Sequence, residues 1–485
     1  MKAKKIIALL MTSIMAVGVL AGCNGDAGNT PAAGGDTSSN TAGDTTGDGT
    51  GDEPVTGQVT VDDAVGTINL WAFTDEVPGM IQAYVDAHPD FKYNVETTIV
   101  ATTDGAYQPA LDQALIAGGD TAPDIFCAEA AFVLKYTQGD MCSYACPYED
   151  LGIDMSALDT AAIAPYSVEI GTNPDGKVVG LGYQATGGAF IYRRSVAEAT
   201  WGTDDPATVA EKIGGGSGSW DQFWVAAEDL KAEGYAIISG DGDIWHAIEN
   251  SSDTGWIVDG KLNIDPKREA FLDVAKKLHD NGYYNETVDW QDAWFADMKG
   301  EGEKQVLGFF GPAWLINYTL GDNCGGKAVG EGTYGDWAVC ESPVGFFWGG
   351  TWIIPTTYAT ADADKAAAVA EIVNYITLDD SQDGLQYAWA NGLLNDAGTK
   401  DSVASGTVMD MSDGSIDFLG GQNMFDVFVP ANAAANGKNL TQYDETINSY
   451  WRDQVRAYVA GDKTRDEAIE AFKQQVADNL DVIVE

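Results

Sequence analysis

In residues 67–100, TINLWAFTDEVPGMIQAYVDAHPDFKYNVETTIV, two strand-like runs flank a helical one. TINLWAF (67–73) is rich in β-branched and aromatic side chains, as a buried strand requires. PGMIQAYVDA (78–87) opens with proline, and His88-Pro89 stops it, which predicts a helix. YNVETTIV (93–100) alternates apolar and polar residues as a second strand. The next residues repeat the theme, with a helix in AYQPALDQALIAG (106–118), closed by Gly118-Gly119, and a third strand in PDIFCA (123–128). Strands and helices alternating at this spacing imply βαβ units, and hence an α/β fold with a parallel sheet covered by helices.

The rhythm continues along the chain. GGAFIYRR (187–194) and KQVLGFFG (304–311) read as strands, and PKREAFLDVAKKLHDNG (266–282) as a helix. Ser219-Trp220-Asp221-Gln222 has the form of a capping box opening a helix through Gly234. A second capping box, Thr464 to Glu467, opens the terminal helix. PVGFFWGGTWIIP (343–355) is a further strand candidate, on which Trp348, Gly350 and Trp352 share a side by period-two alternation. Ligands of open α/β sheets sit beyond the carboxyl ends of strands. That rule selects Trp71, Thr74, Asp75 and Glu76 after the first strand, Glu129 after the third, Tyr183, Gln184 and Thr186 near a lobe boundary, and Trp314 after VLGFFG.

A chain of 485 residues exceeds the size at which one core keeps growing, so two lobes are expected. Its 26 Lys and Arg against 74 Asp and Glu leave a net charge of −48, which repels nucleic-acid backbones and anionic headgroups. Lys2, Lys4 and Lys5 precede an apolar stretch, Ile6 to Leu20, too short for an ordinary membrane span and typical of an export signal. The following LAGC is similar to a bacterial lipobox. Residues 1–22 then form a lipoprotein signal peptide, Cys23 carries the acyl chains, and residues 23–65, nearly free of large apolar side chains, form a flexible linker.

Five further cysteines, Cys127, Cys142, Cys146, Cys324 and Cys340, leave at least one free thiol, with Cys127 in apolar DIFCA the expected buried one. Pairings of Cys142 with Cys146 and of Cys324 with Cys340 stay open. Cysteine spacing and three dispersed histidines argue against zinc. The chain lacks G-x-x-x-x-G-K-[ST], GGGSG (214–218) is a turn, and DMSDGSIDF (410–418) lacks the acidic spacing of a calcium loop. No cofactor or metal is expected.

Seven segments in order resemble the extracellular solute-binding proteins, family 1, of bacterial ABC importers, the maltose-binding-protein-like group. They are INLWAF, HPDFKYNV, QALIAGGDTAPDIF, IYRRSVAEATWG, GSWDQFWVAAEDLKAEG, GEKQVLGFFGPAW and TRDEAIEAF. The resemblance covers the chain from about Thr67 onward and implies a two-lobe periplasmic-binding-protein-like (type II) fold, monomeric, with a hinge crossed more than once. It places lobe one at 66–184 plus 349–415 and lobe two at 188–343 plus 425–485, with crossings near YQATGG, SPVGFFWG and DFLGGQNMF. It further implies a protein that closes over a solute and presents it to the transmembrane subunits of a permease, not an enzyme. The family's contact positions fall on Asp75 and Glu76, on Glu129, near Thr186 and on Trp314. Where the family has a basic residue this chain has Glu76, and where it has a carboxylate at the first crossing this chain offers a hydroxyl or Gln184.

Sugars pair C–H faces with hydroxyl edges, so a sugar site combines flat rings with carboxylates and amides. Trp71, Trp245, Trp314, Trp348 and Trp352 are candidate platforms, with Asp75, Glu76, Glu129, Gln184 and Asp241 at the rim. Trp71 and Trp352 also fit a core, whereas Trp245, in glycine-broken SGDGDIWHAIEN, reads as a loop residue. Two alternatives remain: a polyamine receptor, since carboxylates and tryptophans also suit ammonium groups, and a secreted glycoside hydrolase using two carboxylates.

Overall fold

The structure, a computed structural model, describes residues 55–102, 105–395 and 397–485. The expected signal segment, Cys23 and most of the linker lie outside the described residues. In chain order the strands are Val55–Val59 (β1), Gly66–Ala72 (β2), Tyr93–Ile99 (β3), Ile125–Glu129 (β4), Leu181–Gly182 (β5), Ala189–Arg193 (β6), Ile238–Gly240 (β7), the hairpin Ile257–Val258 (β8) and Lys261–Leu262 (β9), Tyr284–Thr287 (β10), Gly308–Gly311 (β11), Trp337–Cys340 (β12) and Thr351–Pro355 (β13).

The opening stretch folds as its periodicity requires. Ile68, Leu70 and Ala72 of β2 are buried, and the helix Glu76–Ala87 buries Val77, Met80, Ile81 and Tyr84, the stripe of a helix laid on a sheet. β3 then pairs parallel to β2 from Gly66 opposite Tyr93 to Ala72 opposite Ile99. The first sheet runs β1-β3-β2-β4-β13-β5, with β3, β2 and β4 parallel and β13 antiparallel to both its neighbours. Strand pairing begins earlier than the linker reading allowed. Val55 lies opposite Ile99 and Val59 opposite Val95, so β1 closes the free edge of β3.

The second sheet is built on β6, flanked antiparallel by β11 and β12. A parallel pair, β7 with β10, joins it where the Leu307 amide donates to the Ala236 carbonyl at 2.7 Å. Ile68, Leu70, Val95 and Ile353 of the first sheet pack in a core that also takes Ile191, Phe309 and Val339 from one face of the second sheet, while Phe190, Tyr192, Phe223 and Ile238 pack in another on its opposite face. No disulfide forms among the described residues, and Cys127 is buried in β4 as its apolar surroundings predicted. No described helix is long and apolar enough to cross a membrane.

Two sequence expectations fail locally. The helix Asp221–Ala232 has Trp220 at its N-cap without a side-chain cap, because Ser219 Oγ accepts from the Asp221 amide at 3.2 Å instead of reaching the next turn. Thr464 and Glu467, by contrast, form both bonds of a capping box. Only Thr351–Pro355 of the expected strand 343–355 is a strand. Gly349 and Gly350 take φ of +69° and +114°, which breaks the alternation, so Trp348 and Trp352 do not share a side.

The segments expected as the first and second crossings pair with each other between the sheets. The Gly188 amide donates to the Phe346 carbonyl at 2.8 Å, the Trp348 amide to the Thr186 carbonyl at 3.1 Å, and the Gly187 amide to Asn432 Oδ1 at 2.7 Å. Only glycine fits at 188, since a Cβ there would stand 2.1 Å from the Phe346 ring. Gly188→Ala is therefore expected to destabilise the protein by about 1–3 kcal/mol, the usual cost of overpacking. A melting temperature equal to wild type would refute the close approach.

Candidate functional site

Loops from both sheets converge on the paired crossings. Trp348, on the second crossing, is half-buried and stacks on His246 of the helix Gly242–Asn250, with ring centroids 4.4 Å apart. Trp314, just past β11, meets Trp348 edge to face at 4.9 Å and donates its Nε1 proton to the Trp348 carbonyl at 3.0 Å. Trp290, past β10, lies 5.9 Å from Trp348 and nearly parallel to Trp314 at 6.2 Å. These rings form an aromatic floor. Trp290 takes φ of +66°, a conformation costing a bulky residue on the order of 1–3 kcal/mol.

Its neighbour Asp289 holds that turn in place. Asp289 Oδ2 accepts from Arg452 Nη2 at 3.0 Å, and its carboxylate packs where a Cβ on Gly242 would stand. Burial works against the Arg452 charge, but the facing carboxylates of Asp289 and Asp241 raise its pKa above the ordinary arginine value. Asp243, beneath, accepts from the Ser239 and Gly240 amides and from Trp294 Nε1 at 2.9 Å. Its desolvation and the Asp289 charge push its carboxyl well above the usual range.

Carboxylates surround the rings from both sheets. Glu76 keeps solvent contact yet stands among crowding protein atoms, which raise its pKa; Tyr183 donates to it at 2.6 Å. Tyr183 in turn stacks on Trp389 at 5.7 Å. Asn317, which follows β11, donates to the Lys400 carbonyl at 2.9 Å, so the second sheet's loop reaches the first lobe's Asp401, and desolvation, then the charges of Asp401 and Glu76, raise the pKa of neighbouring Tyr318. Asp401 is buried beside Asn317 and Gln184, and burial lifts its carboxyl to about 7. Glu129 accepts from the Ala131 amide at 2.8 Å, and burial, with the like charge of Glu445 opposite, pushes it up to about 8. Glu445, at the start of the helix Asp444–Val459, is raised by burial and by Glu249.

The profile of the bacterial extracellular solute-binding proteins matches residues 79–411. The chain belongs to that family. Membership places it outside the cytoplasm and among substrate-binding proteins. An extracellular solute-binding protein family 1 crystal structure superposes with a TM-score of 0.68 at 17% identity, covering 85% of this chain and 99% of that one. The galacto-N-biose/lacto-N-biose I-binding protein of Bifidobacterium longum gives 0.60 at 15% identity, covering 88% and 100%. The GacH receptor of Streptomyces glaucescens gives 0.55 at 16% identity, covering 86% and 99%. These likenesses establish the two-lobe fold. No curated protein is recognisably similar in sequence.

Within this family fold, the site residues named from sequence divide into two groups. Trp314, Trp348, Glu76, Glu129 and Gln184 stand at the meeting of the lobes, and Asp75 is exposed at the start of the same helix as Glu76. Trp71 is half-buried and packs on the first lobe's core near Tyr107 and Phe126. The others are corrected. Trp245 is helical, not in a loop, and is buried 4.7 Å from Phe271. Trp352 is buried, with Nε1 donating to the Ser167 carbonyl at 3.1 Å. Thr186 is fully buried and gives its hydroxyl to the Gly349 carbonyl at 2.9 Å. Asp241 is buried at a helix N-cap, 3.7 Å from Arg456. Sequence reasoning missed Trp290, His246, Glu249, Glu445, Tyr183's bond to Glu76, and Asp401. The strand-end rule would have found Trp290 had the polar run YNET been read as a strand.

A carboxyl held above its unfolded pKa contributes stability through its protonated form. For Glu129 that contribution is complete below about 4.5 and is lost as pH rises through about 8. Wild-type stability should therefore fall across this window by on the order of 1 kcal/mol for each step of one in pH, and Glu129→Gln should flatten the matching decline in melting temperature. Coincident pH profiles for the two proteins would contradict the burial of this charge.

Proposed function

We infer that this protein captures a sugar or oligosaccharide for an ABC importer and delivers it to a membrane permease. Lobe one, 66–184 plus 349–415, and lobe two, 188–343 plus 425–485, would close around the ligand, with Cys23 as lipid anchor after removal of residues 1–22 and the residues from 23 to the start of β1 at Val55 as tether. The observation that carries the reading is the aromatic floor of Trp290, Trp314 and Trp348 at the meeting of the lobes, ringed by carboxylates. Indole faces cover sugar C–H surfaces while carboxylates and the unpartnered Trp290 Nε1 serve hydroxyls. Fold relatives described in complex with lacto-N-biose, acarbose and β-1,6-galactobiose support this class of ligand.

Closure supplies the coupling. A ligand touching both lobes binds the closed form better and shifts the population toward it by that difference in affinity. The rival reading, a polyamine receptor, draws on the same carboxylates through charge and on the same rings through cation–π contact.

A glycan panel tests the proposal. A bound saccharide should raise the melting temperature and shrink the radius of gyration in small-angle scattering. Trp290→Ala and Trp348→Ala should each weaken its binding at least roughly tenfold, the scale of a lost aromatic platform. Ligand recovered intact after long incubation would set the hydrolase reading aside. A panel with no thermal shift, or tryptophan variants binding like wild type, would count against the saccharide site.

A further inference from the structure

β1 does more than close a sheet edge, because it decides where the chain enters the fold. In the first sheet β2, β3 and β4 run parallel, and their carboxyl ends point at the meeting of the lobes. Glu76 opens the helix that follows β2, and the Ala130 amide, just past β4, donates to the Gly350 carbonyl of the second crossing at 2.9 Å. β1 runs the other way. Val55 lies opposite Ile99, and Ile99 opposite Ala72, so the amino end of β1 stands level with the carboxyl ends of β3 and β2. Past Val59 the chain turns back, the Val65 amide donating to the Lys92 carbonyl at 2.8 Å, and starts β2 at the opposite pole with Gly66 beside Tyr93. Without β1 the chain would enter at that pole, away from the cleft.

Its place across the sheet is equally definite. The order β1-β3-β2-β4-β13-β5 puts β13 and β5, the strands that adjoin the paired crossings, at one side and β1 at the other edge, with β1 and β5 roughly 24 Å apart. Val55 therefore stands at the lip of the first lobe, level with the cleft and on the side away from the hinge. About 30 residues lie between Cys23 and Val55, and their Gly-, Asp- and Thr-rich composition predicts a coil with an average reach of about 30 Å. A folded body of about 430 residues has a radius of gyration of about 22 Å. With a reach of that order, the point of attachment decides which face is held near the anchor. The net charge of −48 keeps other faces from adsorbing to anionic headgroups.

We propose that β1 orients the anchored protein: by bringing the tether into the fold at the lip of the first lobe, it turns the mouth of the cleft toward the bilayer that holds the acyl chains and the permease. The proposal rests on Cys23 as lipid anchor and does not depend on which solute is bound. The end of the first sheet that carries Val55, Ala101 and Glu76 faces the membrane, and the pole from His88 to Lys92 faces away from it.

Resonance energy transfer on the full, lipidated chain tests it, in vesicles of phosphatidylethanolamine and phosphatidylglycerol with an acceptor dye on the headgroups. Donor dyes go on Ala101→Cys, exposed just past β3, or on Asp90→Cys, exposed just before it, in a Cys142→Ala background because the other described cysteines are buried. The seven residues of β3 hold the two ends about 20 Å apart, so transfer from 101 should be at least roughly twice that from 90. Removing residues 55–60 joins the tether to the turn before β2 and should reverse the order; where that variant does not fold, the two dyes on the intact fold decide alone. Equal transfer from the two sites, or stronger transfer from 90, would overturn the proposal and leave the anchor and the saccharide reading standing. A folded deletion variant that keeps the original order would overturn the role of β1. Transfer as weak at both sites as in an unacylated Cys23→Ser chain would overturn the anchor, and the orientation with it.

Discussion

The pairing of the two crossing segments sets everything else. Thr186 to Gly188 and Phe346 to Trp348 exchange backbone hydrogen bonds as a short antiparallel pair belonging to neither sheet. Tyr166 reinforces it, donating to Thr186 Oγ1 at 3.0 Å while its hydroxyl oxygen takes the Thr186 amide at 2.6 Å. A Cβ on Gly188 or Gly187 would collide with Phe346 or Asn432, so the pair closes only with glycine in those places. The pair lies between the two sheets, which is the place a hinge occupies in a two-lobe fold. The same bonds aim Trp348, so the floor of the cleft and the hinge are one object.

Electrostatics adds a second level of order. The chain is strongly acidic, and in the cleft its carboxylates are brought together away from bulk water. Removing an ion from water costs several kcal/mol, and a buried pair such as Arg452 with Asp289 recovers it only with good geometry. Here the pair has a positional role: Asp289 sits on the glycine backbone at 242 and fixes the turn in which Trp290 adopts its left-handed backbone. A hydrophobic replacement could match its stability without holding the indole against Trp314.

What the sequence disclosed follows from the range of the forces involved. The β2–helix–β3 unit was legible because its periods of two and 3.6 are local. Trp314 was named because the end of its strand is marked by glycine and proline, whereas Trp348 was named as part of a strand that begins only at Thr351. Trp352 was misplaced because alternation was carried across Gly349 and Gly350, whose positive φ values cancel it. Residues 245 and 246 show the limit most clearly. A helix turns about 100° per residue, so Trp245 enters the core against Phe271 while its neighbour His246 faces Trp348. Glycines around the segment suggested a loop, and without the helix there was no reason to prefer the histidine. Glu445 was out of reach for another reason: its partners lie far away in the chain, and no local pattern encodes that meeting.

The cleft's chemistry is asymmetric in a way that bears on how closure could be coupled to binding. Its rings are fixed to one another, since Trp314 is hydrogen-bonded to the Trp348 backbone and Trp348 is stacked on His246. Its polar atoms are less satisfied: Trp290 Nε1, His246 Nε2 and Glu249 Oε2 are buried without partners, and such groups cost about 1–3 kcal/mol each when left so. A ligand that supplied those partners would gain by relieving the cost, and the gain would exist only in the arrangement that buries them. The apolar contact with the rings is available in any arrangement that leaves their faces open. Shape would therefore admit a family of flat ligands, and hydrogen-bonding would decide which of them holds the lobes together.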